Sequence, residues 1–285
     1  MTTSLEVLTP SFGYGRYITE AGCSIAGQGN WGVTWRVQDA GSTDETLSEL
    51  ANFERPDPVL DLHVQRDNGQ SHALNLALAR ASSEFIGWLN ADEFYLPGAF
   101  DKFQRTAADD SAADVIYGDC AFVDADGALL RLVPGHTFDI SVLRYYGCFI
   151  SSCTTFVRVS AIEAVGGWNE DLRRSMDWDL WLRLAANGAR FRYIPAPLSA
   201  FRVHEAQVTA TPESADADEF STLDGMHNIT RSRRSARAAK LRHRRLKLAE
   251  GAYVRELRAK RLRPERVAWT SDGLPTAAAT ALAHL

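Results

Sequence analysis

One local event recurs in the first hundred residues and limits the folds open to this chain. A short apolar or β-branched run ends near an acid, and a helical stretch follows. Thr34-Trp35-Arg36-Val37-Gln38 alternates with period two and meets Asp39. His63-Val64-Gln65 is followed by Asp67, and Phe85 to Leu89 by Asn90-Ala91-Asp92. A first strand, Ser4 to Leu8, ends at Thr9-Pro10. Between the strands, Ser42 with Glu45 three places on reads as a capping box that starts a helix. Ser71 to Ala81 and Ala99 to Arg105 supply two more helices, and Val115 to Asp119 another strand. This alternation predicts an α/β fold with a mostly parallel, Rossmann-like sheet and flanking helices. In such sheets ligands bind beyond the carboxyl ends of the strands. Asp39, Asp67 and Asp92 would then converge on one crevice.

After Gly118 the pattern changes. Asp124 to Gly127 reads as a hairpin turn, Phe156 to Val159 as a strand, and Gly166-Gly167-Trp168 as a turn. Asp177 to Ala186 is a helix with Leu180, Trp181, Leu184 and Ala185 on its buried face. Phe191 to Ile194 is a last strand before Pro195 and Pro197. The chain divides into a domain over 1–225, with halves of about 1–120 and 121–225, and a helical extension over 226–285. Residues 267–285 are expected to be a loosely ordered end.

Charge separates the same two parts. Residues 231–266 hold fifteen Lys or Arg and three acids, about +12, which leaves the rest at about −17 of a total of −5. The basic segment suits a solvated or partner-docking helix, an anionic membrane surface, or, less well, nucleic acid. Its apolar positions, Leu241, Leu246, Leu248, Tyr253 and Leu257, are sparse. Four cysteines lack zinc-ligand spacing and read as reduced thiols. The N-terminus enters a strand at once, and no apolar run approaches the ~20 residues a bilayer span needs. A cytoplasmic protein, peripheral to the membrane at most, is the expectation.

A carboxylate beside a strand end can hold Mg2+ or Mn2+ while a nucleoside diphosphate supplies further oxygen ligands. Asp92 fits that task, and taken alone the triplet Asn90-Ala91-Asp92 fits a cap for the helix near Pro97 better. Asp177 and Asp179 open a helix, where capping and dipole complementarity also explain carboxylates. No GxGxxG follows the first strand, which argues against a dinucleotide-dependent oxidoreductase.

Taken in order, the motifs say more. Thr9-Pro10-Ser11-Phe12, Asp39 to Asp44, Arg66-Asp67-Asn68-Gly69-Gln70 and Trp88 to Asp92 resemble the donor half of glycosyltransferase family 2, the inverting GT-A fold. Gly166 to Glu170, Met176 to Arg183 and Phe201-Arg202-Val203-His204 resemble its acceptor half and closing motif. The resemblance covers roughly residues 4 to 208. It implies that Thr9, Pro10, Ser11, Asp39, Asp67, Asn68, Gly69, Asn90 and Ala91 surround the nucleotide. Asp39 would accept the base N–H, which suits uracil and hence a UDP-sugar. Asp92 and His204 would hold Mn2+ or Mg2+, with Asn90 standing where an Asp is common. Asp177 would be the general base that takes the acceptor proton. Met176 stands where Glu is common, and Met176, Trp168 and Trp178 would border the acceptor. The acceptor, whether glycan, lipid-linked or small molecule, has no readable code. Asn90 and Met176 in place of acids also suit a non-catalytic nucleotide-sugar binder.

Overall fold

The computed structural model describes residues 3–55, 57–205, 207 and 214–285. The first half runs β1 (Leu5–Ser11), α1 (Gly15–Ala26), β2 (Thr34–Asp39), α2 (Thr46–Ala51), β3 (Val59–Val64), α3 (Gln70–Leu78), β4 (Phe85–Trp88), β5 (Phe94–Tyr95) and α4 (Ala99–Asp109). The second runs β6 (Val115–Val123), β7 (Leu129–Val133), α5 (Ile140–Tyr145), β8 (Phe156–Arg158), α6 (Val159–Ala164), α7 (Met176–Ala186) and β9 (Phe191–Arg202). It ends with α8 (Ser214–Met226), α9 (Arg233–Ala249), α10 (Ala252–Ala259) and α11 (Ala277–Ala283).

The strands make one mixed sheet in the order β3-β2-β1-β4-β8-β6-β9-β5, with β7 added on β6. β1 to β4 are parallel to one another, and β8 is antiparallel to both β4 and β6. Register aligns the strand ends that matter: Ser11 pairs with Asp39, and Asp39 with Val64.

Helices cover both faces, so central strands are apolar on each side. Val7, Trp35, Phe85, Phe100 and Phe156 pack in one cluster, while Leu8, Ile86, Trp88, Leu74 and Trp181 pack in another. Neighbours such as Val7 and Leu8 enter opposite clusters because successive strand side chains alternate.

Four expectations change. The capping box does not form: Ser42 Oγ donates to Asp39, Asp44 receives the Thr46 N–H, and α2 starts at Thr46. α1 stands where no element was expected, although Tyr17, Ile18, Ala21 and Ile25 recur at helical spacing and are buried. β9 continues through Pro195 and Pro197 to Arg202. The prolines fit because the β6–β9 register shifts between Tyr117 and Cys120, where Asp119 faces Pro197. The expected loose end is also corrected. Val267, Trp269, Ala278, Ala279 and Leu282 form a third apolar cluster with Phe94, Ala121 and Leu132. Trp269 Nε1 donates to the Tyr95 carbonyl at 2.7 Å. A Cβ on Gly27 would overlap the Trp269 ring, so glycine there admits the tail.

The basic extension is anchored too. Arg255 of α10 is buried against buried Asp119 of β6, with Nε 2.6 Å from Oδ2. Tyr193 Oη and the Gly135 N–H also donate to that carboxylate. Gly251, at φ +66, turns the chain between α9 and α10.

Candidate active site

A cleft of about 590 Å³ opens beyond the carboxyl ends of β1 and β4. Pro10, Ser11, Asp67, Asn68, Gly69, Asn90 and Asp92 line it, as the sequence suggested. Tyr14, Arg66, Gln70, Arg173 and Gln207 join them. The Ser11 hydroxyl is buried and has no hydrogen-bond partner among the described residues. A buried polar group of that kind is costly until something bonds to it.

Three expected nucleotide contacts stand behind the wall instead. Thr9 and Ala91 are fully buried, and Thr9 Oγ1 accepts from Trp35 Nε1 at 2.9 Å. Asp39 is fully buried and accepts from the N–H groups of Gly41 and Ser42 at 2.9 and 2.7 Å. Ser42 Oγ in turn accepts from the Gly13 N–H at 2.8 Å, tying the loop after β2 to the loop after β1. The strand-end position was legible; which acid faces inward was not.

Asn90 to Glu93 form a tight turn. The Glu93 N–H donates to the Asn90 carbonyl at 3.1 Å, and Glu93 Oε2 accepts from the Asn90 N–H at 2.8 Å. Burial drives the Glu93 carboxyl well above its usual range, helped by Cys153 and Asp92. It closes the turn from inside the core. Asn90 Oδ1 accepts from Gln70 Nε2 at 2.6 Å and Trp88 Nε1 at 2.9 Å. Its oxygen is thus held by α3 and β4.

Asp92 points the other way. Its Oδ2 lies 2.9 Å from His204 Nε2 and 3.2 Å from Gln207 Nε2. Arg202, just before, donates from Nε to the Asp92 carbonyl at 3.0 Å and pairs with Glu20 at 2.5 Å. Glu20 also accepts the Trp269 N–H at 2.9 Å. The C-terminal segment therefore braces the Asp92 turn through Glu20 and Arg202.

Among the described residues no cluster of three or more His, Cys, Asp or Glu forms a metal cage. The pair Asp92 and His204 fits a different kind of site, in which Asp92 lines the cleft, the largely buried His204 imidazole stands against it outside the lining, and substrate oxygens complete the set.

A second cleft is lined by Tyr146, Ser175, Asp177, Trp178, Phe220 and Arg231 among others. Asp177 sits in the first turn of α7, and its Oδ1 accepts the Trp178 N–H at 2.7 Å. Burial pushes Asp177 up to about 6. Asp179 is structural: His227 and Arg183 hold it at 2.8 and 2.7 Å, which keeps its pKa low despite burial. Of the acceptor-side residues, Trp178 lines the second cleft, and its Nε1 donates to the Leu143 carbonyl. Trp168 packs edge-on against Trp88 with centroids 5.5 Å apart, and Met176 Sδ accepts from Ser71. Those two belong to the core.

The short segment 172–178 joins the clefts. Arg173 faces the first, and Ser175 and Asp177 the second. Glu219 of α8 fixes it, accepting from the N–H groups of Arg173, Arg174 and Ser175 and from Ser175 Oγ. Nothing in the sequence marked Glu219, because its partners are backbone groups more than forty residues away.

The family model for glycosyl transferase family 2 matches residues 6–166, and that for glycosyl transferase family group 2 matches residues 102–251. The chain belongs to glycosyltransferase family 2. An uncharacterized glycosyltransferase of Rickettsia felis is 24% identical over 187 residues, covering 63% of this chain and 31% of that one. This chain thus spans about a third of that relative's length. The structure of S. aureus TarS 1-349 in complex with UDP-GlcNAc superposes with a TM-score of 0.60 at 16% identity, covering 73% of this chain and 61% of that one. The mannosyltransferase PcManGT of Pyrobaculum calidifontis, in complex with GDP-Man and Mn2+, gives 0.55 at 20% identity, covering 74% and 60%. These likenesses establish the GT-A fold expected from the motifs. Among the described residues no helix is long and apolar enough to cross a membrane.

Proposed function

We propose that this family 2 chain is a metal-assisted, inverting glycosyltransferase that moves a sugar from a nucleotide-diphosphate donor to an acceptor hydroxyl. The observation that carries the reading is the pair of clefts joined at residues 172–178. One is lined by Asp92, which bonds His204, and by a Ser11 hydroxyl unpartnered among the described residues, and the other by a carboxylate with a pKa of about 6.

In this mechanism the Ser11 hydroxyl and the turn Asp67-Asn68-Gly69 bond the nucleotide. Arg66 and Arg173 offset its charge. Asp177 accepts the proton of the acceptor hydroxyl as that oxygen attacks the anomeric carbon. The bond from that carbon to the phosphate oxygen breaks on the opposite face, and the diphosphate leaves with the electron pair. One protein carboxylate suffices, unlike the pair needed in glycoside hydrolysis. Asp92 and His204 would hold Mn2+ or Mg2+, which when bound offsets charge on the departing diphosphate. Asp39 and Thr9 act from behind by fixing the loops.

Two measurements test this. Thermal unfolding with UDP, GDP and their sugars should rise for one nucleotide, further with Mn2+. Ligand at one hundred times its dissociation constant adds about 2.7 kcal/mol to native stability. Asp92→Asn should abolish the Mn2+ increment and leave the metal-free shift intact. Asp177→Asn should slow transfer by about 10²–10⁴ with donor binding unchanged. Normal transfer by that variant would remove Asp177 from the mechanism. Nucleotide binding without transfer or donor hydrolysis in the native chain would favour a binding protein instead.

A further inference from the structure

The outer face of α9 carries two side chains that a purely solvated helix has no use for. Leu241 is 50% exposed and Leu248 70% exposed. At 100° per residue, Arg237, Leu241, Arg244 and Leu248 form one stripe at spacings of four, three and four, with Arg234 and Arg245 beside it. The helix holds eight Arg or Lys and no acid. Its inward contacts use other residues: Arg242 pairs with Asp139, His243 bonds His136, and Lys247 pairs with Glu256. No acid is paired with Arg237, Lys240, Arg244 or Arg245 among the described residues, and all four are exposed. α10 repeats the pattern. It buries Ala252, Arg255 and Ala259 and presents Val254 and Leu257 at 53% and 60% exposure, with Arg258 exposed among them.

We propose that the outer faces of α9 and α10 dock on an anionic lipid surface. Charge complementarity identifies the occupant: a +12 segment on a −17 body will turn toward an anionic plane and hold the acidic body away from it. The exposed leucines separate lipid from nucleic acid. Phosphate backbones engage the arginines alone, whereas an interface gains from burying Leu241, Leu248, Val254 and Leu257 among headgroups. The long arginines reach the headgroups while their stems lie along the acyl boundary. Docking of this kind is peripheral. α9 starts two residues beyond Arg231, a wall of the second cleft, so a lipid-carried acceptor would meet that cleft near the surface. That last step alone rests on the proposed reaction.

The test is co-sedimentation of the full chain with phosphatidylcholine vesicles, with and without phosphatidylglycerol. Anionic vesicles should bind at least about tenfold more protein, and binding should fall with salt. The double variant Leu241→Ser, Leu248→Ser should lose about tenfold in partition at an unchanged melting temperature. Arg237→Gln with Arg244→Gln, also exposed, should lose as much. Equal partition to neutral and anionic vesicles overturns the proposal. So does native-like binding by the leucine variant, which would leave a general polyanion site such as nucleic acid uses. No arm requires catalysis, so failure here and failure of the transferase reading stay distinguishable.

Discussion

Asp177 sits between two influences at the first turn of α7. The Trp178 N–H favours its ionised form, but burial outweighs it and sets the pKa near 6. The folded carboxyl therefore keeps its proton to a higher pH than an ordinary aspartate. As a base it must first lose that proton. Transfer should rise about tenfold per pH unit below 6 and level off above it. A kcat–pH profile of the native chain, flat from pH 5 to 8, would contradict this. Ser11 allows a second test. An unpartnered buried hydroxyl is a liability in the free protein and useful only when a ligand meets it. Ser11→Ala should leave the melting temperature unchanged or raised, and weaken nucleotide binding by about 0.5–1.5 kcal/mol. Titration calorimetry with the nucleotide that stabilises the native chain reads this directly. Weaker folding with intact binding would mean that Ser11 serves the fold.

The elements that hold these residues differ in how visible they were. Strands near β1, β2 and β4 and helices near α3, α4 and α7 follow hydrophobic period and turn residues, and each lies close to its sequence reading. The short α5 and α6 and the polar α8 carry no such period. The docked extension was hidden for a stricter reason. α10 meets the body through Ala252, Arg255 and Ala259, two small residues and a cation, so no apolar stripe announces its buried face. What holds it is an ion pair formed across 136 residues, and no local pattern encodes a partner that distant. The same pair is a sharp test of the docking. Removing one member of a buried pair leaves the other uncompensated, at a cost of about 3–5 kcal/mol. Arg255→Met should destabilise the chain by that much in urea unfolding. Adding Asp119→Leu should recover most of the loss, since a well-packed apolar replacement is often neutral. No recovery would assign Asp119 a role beyond the pair, through Tyr193 and the Gly135 N–H.

At the scale of the molecule, the acidic body and basic extension meet at two histidines. His136 is fully buried, and its Nδ1 donates to the Thr137 carbonyl at 2.7 Å. A neutral His136 then offers Nε2 as an acceptor, and His243 Nδ1 donates to it from 2.9 Å. Phe149 stacks on one ring and Tyr146 on the other. Burial lowers the His136 pKa, aided by Lys247, against the bond to the Thr137 carbonyl, Asp139 and Glu250, which favour a proton there. Burial lowers His243 to about 4, with His136, Lys247 and Arg244 adding to the effect. A folded histidine with a lowered pKa binds fewer protons than the unfolded chain between about 4 and 6.5. Its stabilising contribution is full above 6.5 and is lost as the pH falls toward 4. For His243 the effect is about 2 kcal/mol after allowing for partial solvation. Asp177 acts with the opposite sign over part of this range, because its raised pKa relieves a folded-state cost below 6. The native melting curve alone would blend the two. His243→Gln separates them, since an amide can still donate to His136 Nε2 but cannot titrate. The melting temperatures of native and variant chains should lie close at pH 7 and separate below about 6.5, with the variant the more stable as the pH approaches 4. A gap that stays constant with pH would mean that the histidine pair does not couple proton uptake to the hold of the extension on the body.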